Sequence, residues 1–294
     1  MNLEHLSSYP AGKVQALFGL TVAALGELLA KALPELLRRR QAERVRRPGR
    51  QRAVGGGRRR QLKPYQEVLL TLIYLRHNVA HAVVGELLGV SADTSENTFH
   101  EVVFVLRDVC PAQRWDAEKK WQKGEPSWTP DKVERVLIDS FESPVRRPSR
   151  QDRQRRVYSG KKKRHTLKSQ VVTDAQGEIL DLDPGHRGPT ADKRLYEQST
   201  VAEHYPNAAK QGDLAYQGLA GVSVPHKQPK GGHLTEEQRV ENRRLAAVRV
   251  HVEHGIRRIK GWRIVRDDYR IALGLFPLIA STVVGLVQLV RIVG

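Results

Sequence analysis

The stretch KRHTLKSQVVTDAQGEILDLD, residues 163–183, contains two apolar runs separated by a turn sequence. Residues 163–174 and 177–183 have the lengths and the Val, Ile and Leu content of β-strands. Residues 174–177 supply Asp and Gly where a tight turn uses them. The pattern predicts an antiparallel hairpin and therefore a sheet in the second half of the chain.

Two more short strands are predicted, one on each side of this hairpin. VERVLID, residues 133–139, is typical of a buried strand that Asp139 closes. NAAKQGDLAYQG, residues 207–218, holds a short later strand and places Asp213 beside small residues and glycines. An acid therefore accompanies each of these two predicted strands.

A long helix is predicted after the strands. Thr235 and Gln238 form a capping box at its start, and it runs to about Ile259. Antiparallel strands, a short later strand and terminal helices together predict an α/β or α+β sheet domain. We assign this domain to residues 130–294.

The stretch IALGLFPLIASTVVGLVQLV, residues 271–290, is long and apolar enough to cross a bilayer. A terminal helix packed on a sheet has the same pattern. We favour the packed helix, because Pro277 and Gln288 interrupt the run and a single anchor would leave the basic stretches of the chain unexplained. No membrane partner is therefore expected.

The first part of the chain, residues 1–61, is predicted to be an N-terminal helix and a basic arm. Apolar residues recur at helical spacing over residues 13–40, with a predicted break at Pro34. Residues 47–61 combine Pro, Gly and Arg, which is typical of a linker or of an arm that becomes ordered on nucleic acid. A connection rich in Trp, Pro and Lys is predicted over residues 111–132.

Residues 62–115 are predicted to be helical and to contain a helix-turn-helix. In VVGELLGVSADTSENTFHEV, residues 83–102, an apolar helix is followed by Gly89 at the turn and then by a polar helix. Asp93 and Glu96 are predicted to form the capping box of that second helix. A three-helix packing module without any groove contact would have the same pattern. If the second helix enters a major groove, its exposed base-contacting candidates are Thr94, Ser95, Asn97 and Thr98.

Basic residues are concentrated in two stretches. The net charge is +18, and residues 38–60 and 146–168 each carry 11 Lys or Arg against a single acid. Such clusters favour a polyanionic partner, because each neutralised phosphate releases counterions. An anionic membrane surface or a solvated charge run would look alike. Cys110 is the only cysteine, which excludes an intramolecular disulfide framework and a multi-cysteine zinc site.

Three acids, Asp139, Asp213 and Glu253, are candidates for a metal site. Glu253 lies beside the apolar stripe of the predicted long helix, where it can reach the edge of the sheet. Carboxylates that converge from separate elements repel one another, and a hard divalent cation such as Mg²⁺ relieves the repulsion. Two such ions roughly 4 Å apart can drive an in-line phosphoryl displacement. By spacing alone, each acid can equally be an ordinary surface charge.

Neighbouring residues allow other interpretations. Glu142, three positions after Asp139, can point back at the site or into solvent. HVEH, residues 251–254, places two histidines on one helical face, but a zinc site needs three or four ligands. Trp262 can stack on a base, although an aromatic residue at a helix end is more often part of the core.

Four motifs carry a family resemblance. They are LIDSFESP (137–144), YSGKKKRHTLKSQVVTDAQGEIL (158–180), QGDLAYQG (211–218) and RRLAAVRVHVEHGIRRIKGWRI (243–264). Together they resemble the DDE-superfamily transposases of bacterial insertion sequences, in the branch related to Harbinger-type transposases. The resemblance covers about residues 62–290. It implies an α/β, RNase H-like catalytic domain, a mixed sheet with flanking helices, preceded by an all-α helix-turn-helix region.

The resemblance also implies roles for particular residues. The positions that match the family's metal-binding Asp, Asp and Glu in order and separation are Asp139, Asp213 and Glu253. Arg249 and Lys260 match the Arg and Lys of a signature that begins with Tyr in related transposases, whereas Ala246 stands at the Tyr position here. Only the Arg and Lys contacts to DNA are therefore carried over. The basic residues expected to contact phosphates near the catalytic face are Lys161, Lys162, Lys163 and Arg164.

The reaction implied by the resemblance is hydrolytic cleavage at transposon ends, followed by attack of the freed 3′-hydroxyl on target DNA. It implies two Mg²⁺ ions, with Mn²⁺ as a substitute. The implied partners are double-stranded DNA, carrying the terminal inverted repeats or the target, and further copies of the chain in a homodimer or higher oligomer on DNA. The implied location is the bacterial cytoplasm, at the nucleoid.

Two alternative functions are compatible with the same motifs, and one further acid, Asp192, has an expected role. A DNA-binding protein without strand transfer, such as a domesticated transposase or a repressor, would keep the helix-turn-helix. A nuclease of the same fold would cut without joining. Asp192 stands where this branch often has His-Asp, and it is expected to be structural or to support the metal ligands.

Overall fold

The computed structural model describes residues 9–46, 60–122 and 129–294. The predicted basic arm, residues 47–61, lies outside the described residues apart from its last two.

Two N-terminal helices, α1 (Ala11–Phe18) and α2 (Val22–Arg46), stand where one helix was predicted over residues 13–40. The break falls at Gly19, whose φ of 73° ends α1 in the left-handed region. The break predicted at Pro34 is wrong, because Pro34 lies inside α2. Apolar residues of α2 are buried on both sides of the proline, and this packing holds the helix together despite the lost hydrogen bond.

Three helices form the region predicted as a helix-turn-helix: α3 (Pro64–His77), α4 (His81–Leu88) and α5 (Ala92–Val109). Gly89 closes α4 with a φ of 71°, as the turn requires. The three helices contact one another, and α2 packs against α3 and α5. The predicted order of helix, glycine turn and helix is therefore confirmed.

The capping box predicted at Asp93 and Glu96 is wrong. Helix α5 begins earlier, and its N-cap is Ser91, whose hydroxyl accepts a hydrogen bond from the backbone N–H of Thr94 at 3.2 Å. Asp93 instead lies in the first turn, where its charge suits the positive end of the helix dipole.

A buried ion cluster joins α2, α3 and α5. Arg40 is 7% exposed, and its guanidinium lies 2.7 Å from Glu67 and 2.6 Å from Glu101. Arg60 also contacts both acids, at 3.0 Å and 2.8 Å. Arg60, near the end of the basic arm, is thereby tied to the helix-turn-helix region.

The connection predicted over residues 111–132 contains a helix, α6 (Arg114–Trp121). It packs against the last helix of the chain, α12 (Phe276–Val293). Gln288 of α12 contributes to this contact, because its side-chain amide donates to the carbonyl of Ala112 at 3.3 Å. This segment is therefore part of the packed structure and not only a linker.

A six-stranded mixed sheet forms the second half of the chain, in the order β2-β3-β1-β5-β6 with β4 also paired to β3. Strands β3 and β4 form the predicted hairpin, and β1 is antiparallel to β3. Strand β5 is parallel to β1, and β6 is parallel to β5. The strands are β1 (Arg135–Pro144), β2 (Tyr158–Ser159), β3 (Arg164–Asp174), β4 (Ile179–Arg187), β5 (Ala209–Gln211) and β6 (Val222–Ser223).

Strand β1 does not end at Asp139 as predicted. It continues to Pro144, because β3 is long enough to pair with it throughout, and Asp139 lies opposite Val171 in the middle of the pairing. Alternation along β1 places Phe141 in one apolar cluster and Ile138 in the other. Asp139 therefore shares the face of Phe141, and the residues on either side of Asp139 point the opposite way.

Helices cover both faces of the sheet. They are α7 (Gln151–Val157), α8 (Asp192–Gln198), α9 (Val201–His204), α10 (Glu236–Lys260), α11 (Arg263–Arg266) and α12. The predicted capping box at the start of α10 is confirmed, with Thr235 and Gln238 bonded reciprocally. A mixed sheet with flanking helices behind a helical region is the predicted architecture, and it is consistent with an RNase H-like fold.

Helix α10 approaches the β3–β4 hairpin very closely. A Cβ on Gly177, which has a φ of 81°, would lie 2.5 Å from the carbonyl oxygen of His251. A Cβ on Gly255 would lie 3.1 Å from the side chain of Thr173. Glycine at both positions lets the backbones meet, and this contact brings the middle of α10 over β1.

The stretch predicted as either a membrane span or a packed helix contributes to the core. Residues Leu273–Val293 are long and apolar enough to cross a membrane, and 61% of the most apolar window is buried within the protein. Helix α12 packs against β4, α5 and α6. One apolar cluster runs from Val14 of α1 to Leu289 of α12, so the helical region and the sheet share a core.

Candidate active site

Asp139 lies on the face of β1 that α10 covers. Its side chain is 16% exposed, and Oδ1 accepts a hydrogen bond from the backbone N–H of Ser140 at 2.7 Å. Burial raises the pKa of Asp139 to about 6; the hydrogen bond and Arg249 act in the opposite direction, while Asp213 and Asp192 add to the rise. The folded chain therefore holds a carboxylate whose ionised form is poorly solvated.

Arg249 stands between two of the candidate acids. Its Nη2 lies 4.0 Å from Oδ2 of Asp139 and 3.8 Å from Oε1 of Glu253. The Nε of the same guanidinium is buried and has no hydrogen-bond partner among the described residues. Glu253 is 54% exposed, so α10 presents it at the open side of the site. Arg249 is thus close to both acids at distances longer than a hydrogen bond.

Asp213 follows β5 and caps a short 3-10 turn. Its Oδ1 accepts the backbone N–H two residues later at 2.9 Å. Tyr216 is fully buried beneath this loop, where a Cβ on Gly212 would lie 2.7 Å from its ring. Burial raises the pKa of Tyr216, and Asp192, Asp139 and Asp213 raise it further. Asp192, Asp139 and Asp213 therefore all lie close enough to the buried phenol of Tyr216 to act on its charge.

The donor chemistry of this site fits a divalent cation. Carboxylate oxygens are the ligands that Mg²⁺ prefers, and the poorly solvated Asp139 gains most from a nearby positive charge. Within the described part of the chain, no three His, Cys, Asp or Glu side chains converge closely enough to hold an ion. Asp139 and Glu253 are linked instead by the guanidinium of Arg249.

Lys260 is brought to the same region. Its Nζ lies 5.4 Å from the ring centroid of Phe141, which shares the face of Asp139. The pKa of Lys260 is lowered by burial and by the nearby charge of Lys162, whereas Asp139 and Glu142 raise it. The structure therefore places one lysine from α10 and one from the basic loop beside the acids of β1.

The basic loop lies in the turn between β2 and β3. Lys161, Lys162 and Lys163 are exposed there. Arg164 begins β3 and forms an ion pair with Asp268. The three lysines, more than Arg164, therefore present free charges from this loop.

Glu142, the alternative to Asp139 as the acid of the candidate site, points to the other face of the sheet. Side chains alternate along β1, so Glu142 shares the face of Ser140. Its Oε2 accepts a hydrogen bond from the hydroxyl of Thr166 at 2.6 Å. This contact explains Glu142 as a structural residue of the β1–β3 pairing.

Sequence reasoning missed a polar cluster on that opposite face. Ser140 donates its hydroxyl to Oδ1 of Asp192 at 2.5 Å. Nζ of the buried Lys168 donates to the same oxygen at 3.1 Å and to the carbonyl of Thr190 at 2.6 Å. Asp192 is thereby fixed against the residue that follows Asp139. Only the register of β1 with β3 reveals this cluster, because its members are far apart in the sequence.

Two of the four predicted base-contacting residues are buried. Ser95 and Thr98 are 0% and 4% exposed, because they stand one turn before Phe99 and Val102 on the inner face of α5. Ser95 also lies within 3.0 Å of a ring nitrogen of His81. The prediction that Ser95 and Thr98 are exposed is therefore wrong. Of the other two candidates, Thr94 is half-buried and Asn97 is exposed.

Two further interpretations are decided by the structure. Trp262 is 2% exposed and packs at Gly19, where a Cβ would lie 2.8 Å from its ring, so Trp262 belongs to the core. The rings of His251 and His254 lie 6.4 Å apart. Neither histidine joins a group of three potential metal ligands among the described residues, which leaves the zinc interpretation without support.

Two family models match the chain. One described as DDE superfamily endonuclease matches residues 138–289, and one described as helix-turn-helix of DDE superfamily endonuclease matches residues 60–111. The first match contains all three candidate acids, and the second contains helices α3 to α5. The two matches therefore coincide with the sheet region and the helical region of the fold.

Two curated proteins resemble the chain over most of its length. The chain is 30% identical over 229 residues to the probable transposase for insertion sequence element IS702 of Microchaete diplosiphon, a match that covers 75% of this chain and 78% of that protein. It is 25% identical over 201 residues to the putative transposase for insertion sequence element IS112 of Streptomyces albus G, covering 68% and 70%. No solved structure matches significantly.

Proposed function

Because the chain belongs to the DDE-superfamily transposases of insertion sequences, we propose that it cuts the DNA ends of such an element and joins the freed 3′-hydroxyl to target DNA. The observation that carries this proposal is the buried carboxylate of Asp139, with Arg249 in contact and Asp213 close enough to raise its pKa. A carboxylate destabilised in this way is suited to binding a cation at a phosphate.

We propose that Asp139, Asp213 and Glu253 hold the metal ions, Mg²⁺ or in its place Mn²⁺. Two bound ions would activate the attacking water or 3′-hydroxyl and stabilise the leaving oxygen of an in-line displacement. The residues of the chain itself orient the substrate. We propose that Arg249 and Lys260, on the same helix as Glu253, contact the phosphate that is cut.

The remaining contacts to DNA are assigned by their position. Lys161, Lys162 and Lys163 extend the basic surface from Lys260, and helix α5 presents Thr94 and Asn97 to a major groove. We retain Arg164 as a weaker contact, since Asp268 already pairs with its guanidinium. The substrate is then double-stranded DNA carrying inverted repeats, held by two or more copies of the chain at the nucleoid, in the cytoplasm. The domain boundaries 1–61, 62–115 and 130–294 stay predictions.

A strand-transfer assay tests the proposed function. The protein is incubated with Mg²⁺ and two duplexes that carry the inverted repeats flanking its gene, one intact and one already cleaved to a 3′-hydroxyl. We expect cleavage of the first duplex and joining of the second to a target plasmid. Cleavage without joining would indicate a nuclease. Binding without either reaction would indicate a DNA-binding protein without catalysis.

The substitution Asp192→Asn tests the polar cluster behind Asp139. It keeps the hydrogen bond from Ser140 but removes the negative charge beside Lys168. We expect cleavage at limiting Mg²⁺ to fall about 10–100-fold, because groups that support metal ligands tune metal affinity. The half-saturating Mg²⁺ concentration should rise while DNA affinity stays unchanged. An unchanged Mg²⁺ dependence would show that Asp192 is only structural.

The corrected face of α5 gives a second prediction. Asn97→Ala is expected to weaken binding to the inverted repeat about tenfold, because a side chain paired with a base edge contributes roughly 1–3 kcal/mol. Ser95→Ala is the matched control: it should lower stability, through the lost contact with His81, and leave DNA affinity unchanged. Gel-shift titration and thermal unfolding of both variants measure this. A larger binding loss for Ser95→Ala would contradict the assigned face.

A further inference from the structure

A basic groove lies beside the segment that leads into Asp192. It has a volume of about 830 Å³ and is lined by arginines from three elements. Arg155 and Arg156 come from α7, Arg187 from the end of β4, and Arg194 from α8. These residues are separated in the sequence by up to about forty positions, and only the fold brings them together.

The four arginines have no acidic partner. None of their guanidinium groups forms a hydrogen bond or an ion pair with another described residue, and all four residues are exposed. No Asp or Glu is among the described residues that line the groove, and the imidazole of His186 in the lining lies 2.8 Å from Asp183. Other arginines of the sheet domain do pair with an acid, as Arg164 does with Asp268. Four guanidinium groups without acidic partners around one groove favour the binding of an external anion.

One wall of the groove is firmly held against the sheet. The backbone N–H of Gly188 donates to the carbonyl of Thr166 at 3.1 Å, and Lys168 donates to the carbonyl of Thr190 at 2.6 Å. A Cβ on Gly188 would overlap the hydroxyl oxygen of Thr166, so this segment packs directly against β3. Arg187 is therefore presented from a fixed turn, in which less entropy is lost on binding an anion.

The same segment connects the groove to the active site. Arg187 and Thr190 line the groove, and Asp192, two residues on, accepts the hydroxyl of Ser140. Arg187 pairs with Leu167 of β3, which in turn pairs with Ser143 of β1. Strand spacing and rise then place Arg187 roughly 16 Å from Asp139, Cα to Cα.

We propose that this groove binds the phosphodiester backbone of the DNA whose scissile phosphate lies at Asp139. The inference rests on the proposed function, because it takes the DNA to be the substrate of that site. A distance of roughly 16 Å corresponds to about five base pairs along a duplex. The planar guanidinium forks match phosphate oxygens in pairs, which suits arginine to this role more than lysine. The groove thus extends the DNA path beyond Lys161, Lys162 and Lys163.

DNA is favoured over an RNA or an acidic protein by continuity with the site. The groove lining includes Ala191, next to Asp192, and Asp192 bonds to the residue that follows Asp139. One short segment therefore links the groove to the proposed position of the scissile phosphate. An unrelated partner would need no such continuity.

Salt-dependent binding of the full-length protein tests the proposal. The variants are Arg187→Gln, Arg194→Gln and the double variant, and the probe is a DNA duplex several helical turns long. The control, Arg153→Gln, removes one exposed charge from α7 outside the groove. Affinity is measured by fluorescence anisotropy over about 50–200 mM salt. Thermal unfolding confirms that each variant is folded.

Each groove substitution is expected to make the negative slope of log K against log salt less steep by about 0.9, because one phosphate contact is lost. The slope of the double variant should be less steep by about 1.8, and its affinity near 0.15 M salt should fall at least about tenfold. Both effects should be equal for DNA duplexes of any sequence. The control should leave the slope unchanged. The proposal would be overturned if the slope of the double variant were unchanged, or if the control substitution made the slope less steep by the same amount.

Two further measurements separate the possible explanations. An RNA duplex of the same sequence is tested in parallel; a loss seen with RNA but not with DNA would overturn the proposal in favour of an RNA partner. Cleavage in Mg²⁺ is also measured for Asp139→Asn. If Asp139 is not catalytic but the groove does bind DNA, Asp139→Asn will still cleave DNA, and the groove variants will still show a weaker salt dependence of DNA binding. The failures of the two proposals are therefore distinguishable.

Discussion

Cleavage of transposon-end DNA in Mg²⁺ is expected to fall about 10³-fold or more in each of the variants Asp139→Asn, Asp213→Asn and Glu253→Gln. Amides keep the size of the side chains but cannot supply the negative oxygens that the metal ions need. DNA affinity should stay within about twofold, because none of these acids is expected to touch the backbone without metal. A cleavage gel and an anisotropy titration of the same preparations measure the two effects.

Glu142→Gln is the matched control for this experiment. Glu142 lies three residues from Asp139 on the same strand, but it faces the other side of the sheet and bonds to Thr166. Its cleavage rate should stay within a few-fold of the parent. Retained cleavage by Asp213→Asn would remove Asp213 from the metal site, and loss of cleavage in Glu142→Gln would show that the face of β1 has been misassigned.

The metal-free protein is expected to become more stable when Asp139 is replaced by Asn. Burial raises the pKa of Asp139 from its ordinary 3.8 to about 6. A carboxyl whose pKa is raised on folding stabilises the protein below pH 4, where it is protonated in both states, and this contribution is lost as the pH rises through about 6. The rise corresponds to about 3 kcal/mol between pH 4 and pH 7 or above.

Denaturant unfolding of the two proteins without metal measures this effect. Asp139→Asn should match the parent near pH 3.5 and exceed it by about 2–3 kcal/mol at pH 8. Glu253→Gln is the control: more than half of the Glu253 side chain is exposed, so its replacement relieves no comparable burial. Mg²⁺ should stabilise the parent at pH 8 and not Asp139→Asn. A difference between the two proteins that is the same at both pH values would contradict the assigned environment.

Several elements could be predicted because their signals are local. The hairpin over residues 163–183 formed where alternating apolar residues flanked an Asp and Gly turn, and α10 began at its capping box. The predictions that failed concern the limits and orientation of elements. Pro34 did not break α2, and Asp139 did not end β1, because tertiary contacts outweighed the local preference.

The candidate site was predictable in part. The motifs pointed to Asp139, Asp213 and Glu253, and both family models match the regions where the resemblance placed catalysis and DNA binding. The choice of exposed residues on α5 failed for Ser95 and Thr98, since a polar residue can lie on an inner helical face when it has a partner there. Polarity alone therefore did not identify the outer face.

The sequence by itself determined the class of fold and the family, and it predicted the three acids, because strand alternation, helix caps and motif residues each lie within short stretches of chain. Only the tertiary structure decided that Glu142 faces away from Asp139 and that Arg249 lies between Asp139 and Glu253. It also decided that arginines from α7, β4 and α8 line one groove. These facts depend on strand register and helix packing between distant residues, which spacing along the chain does not specify.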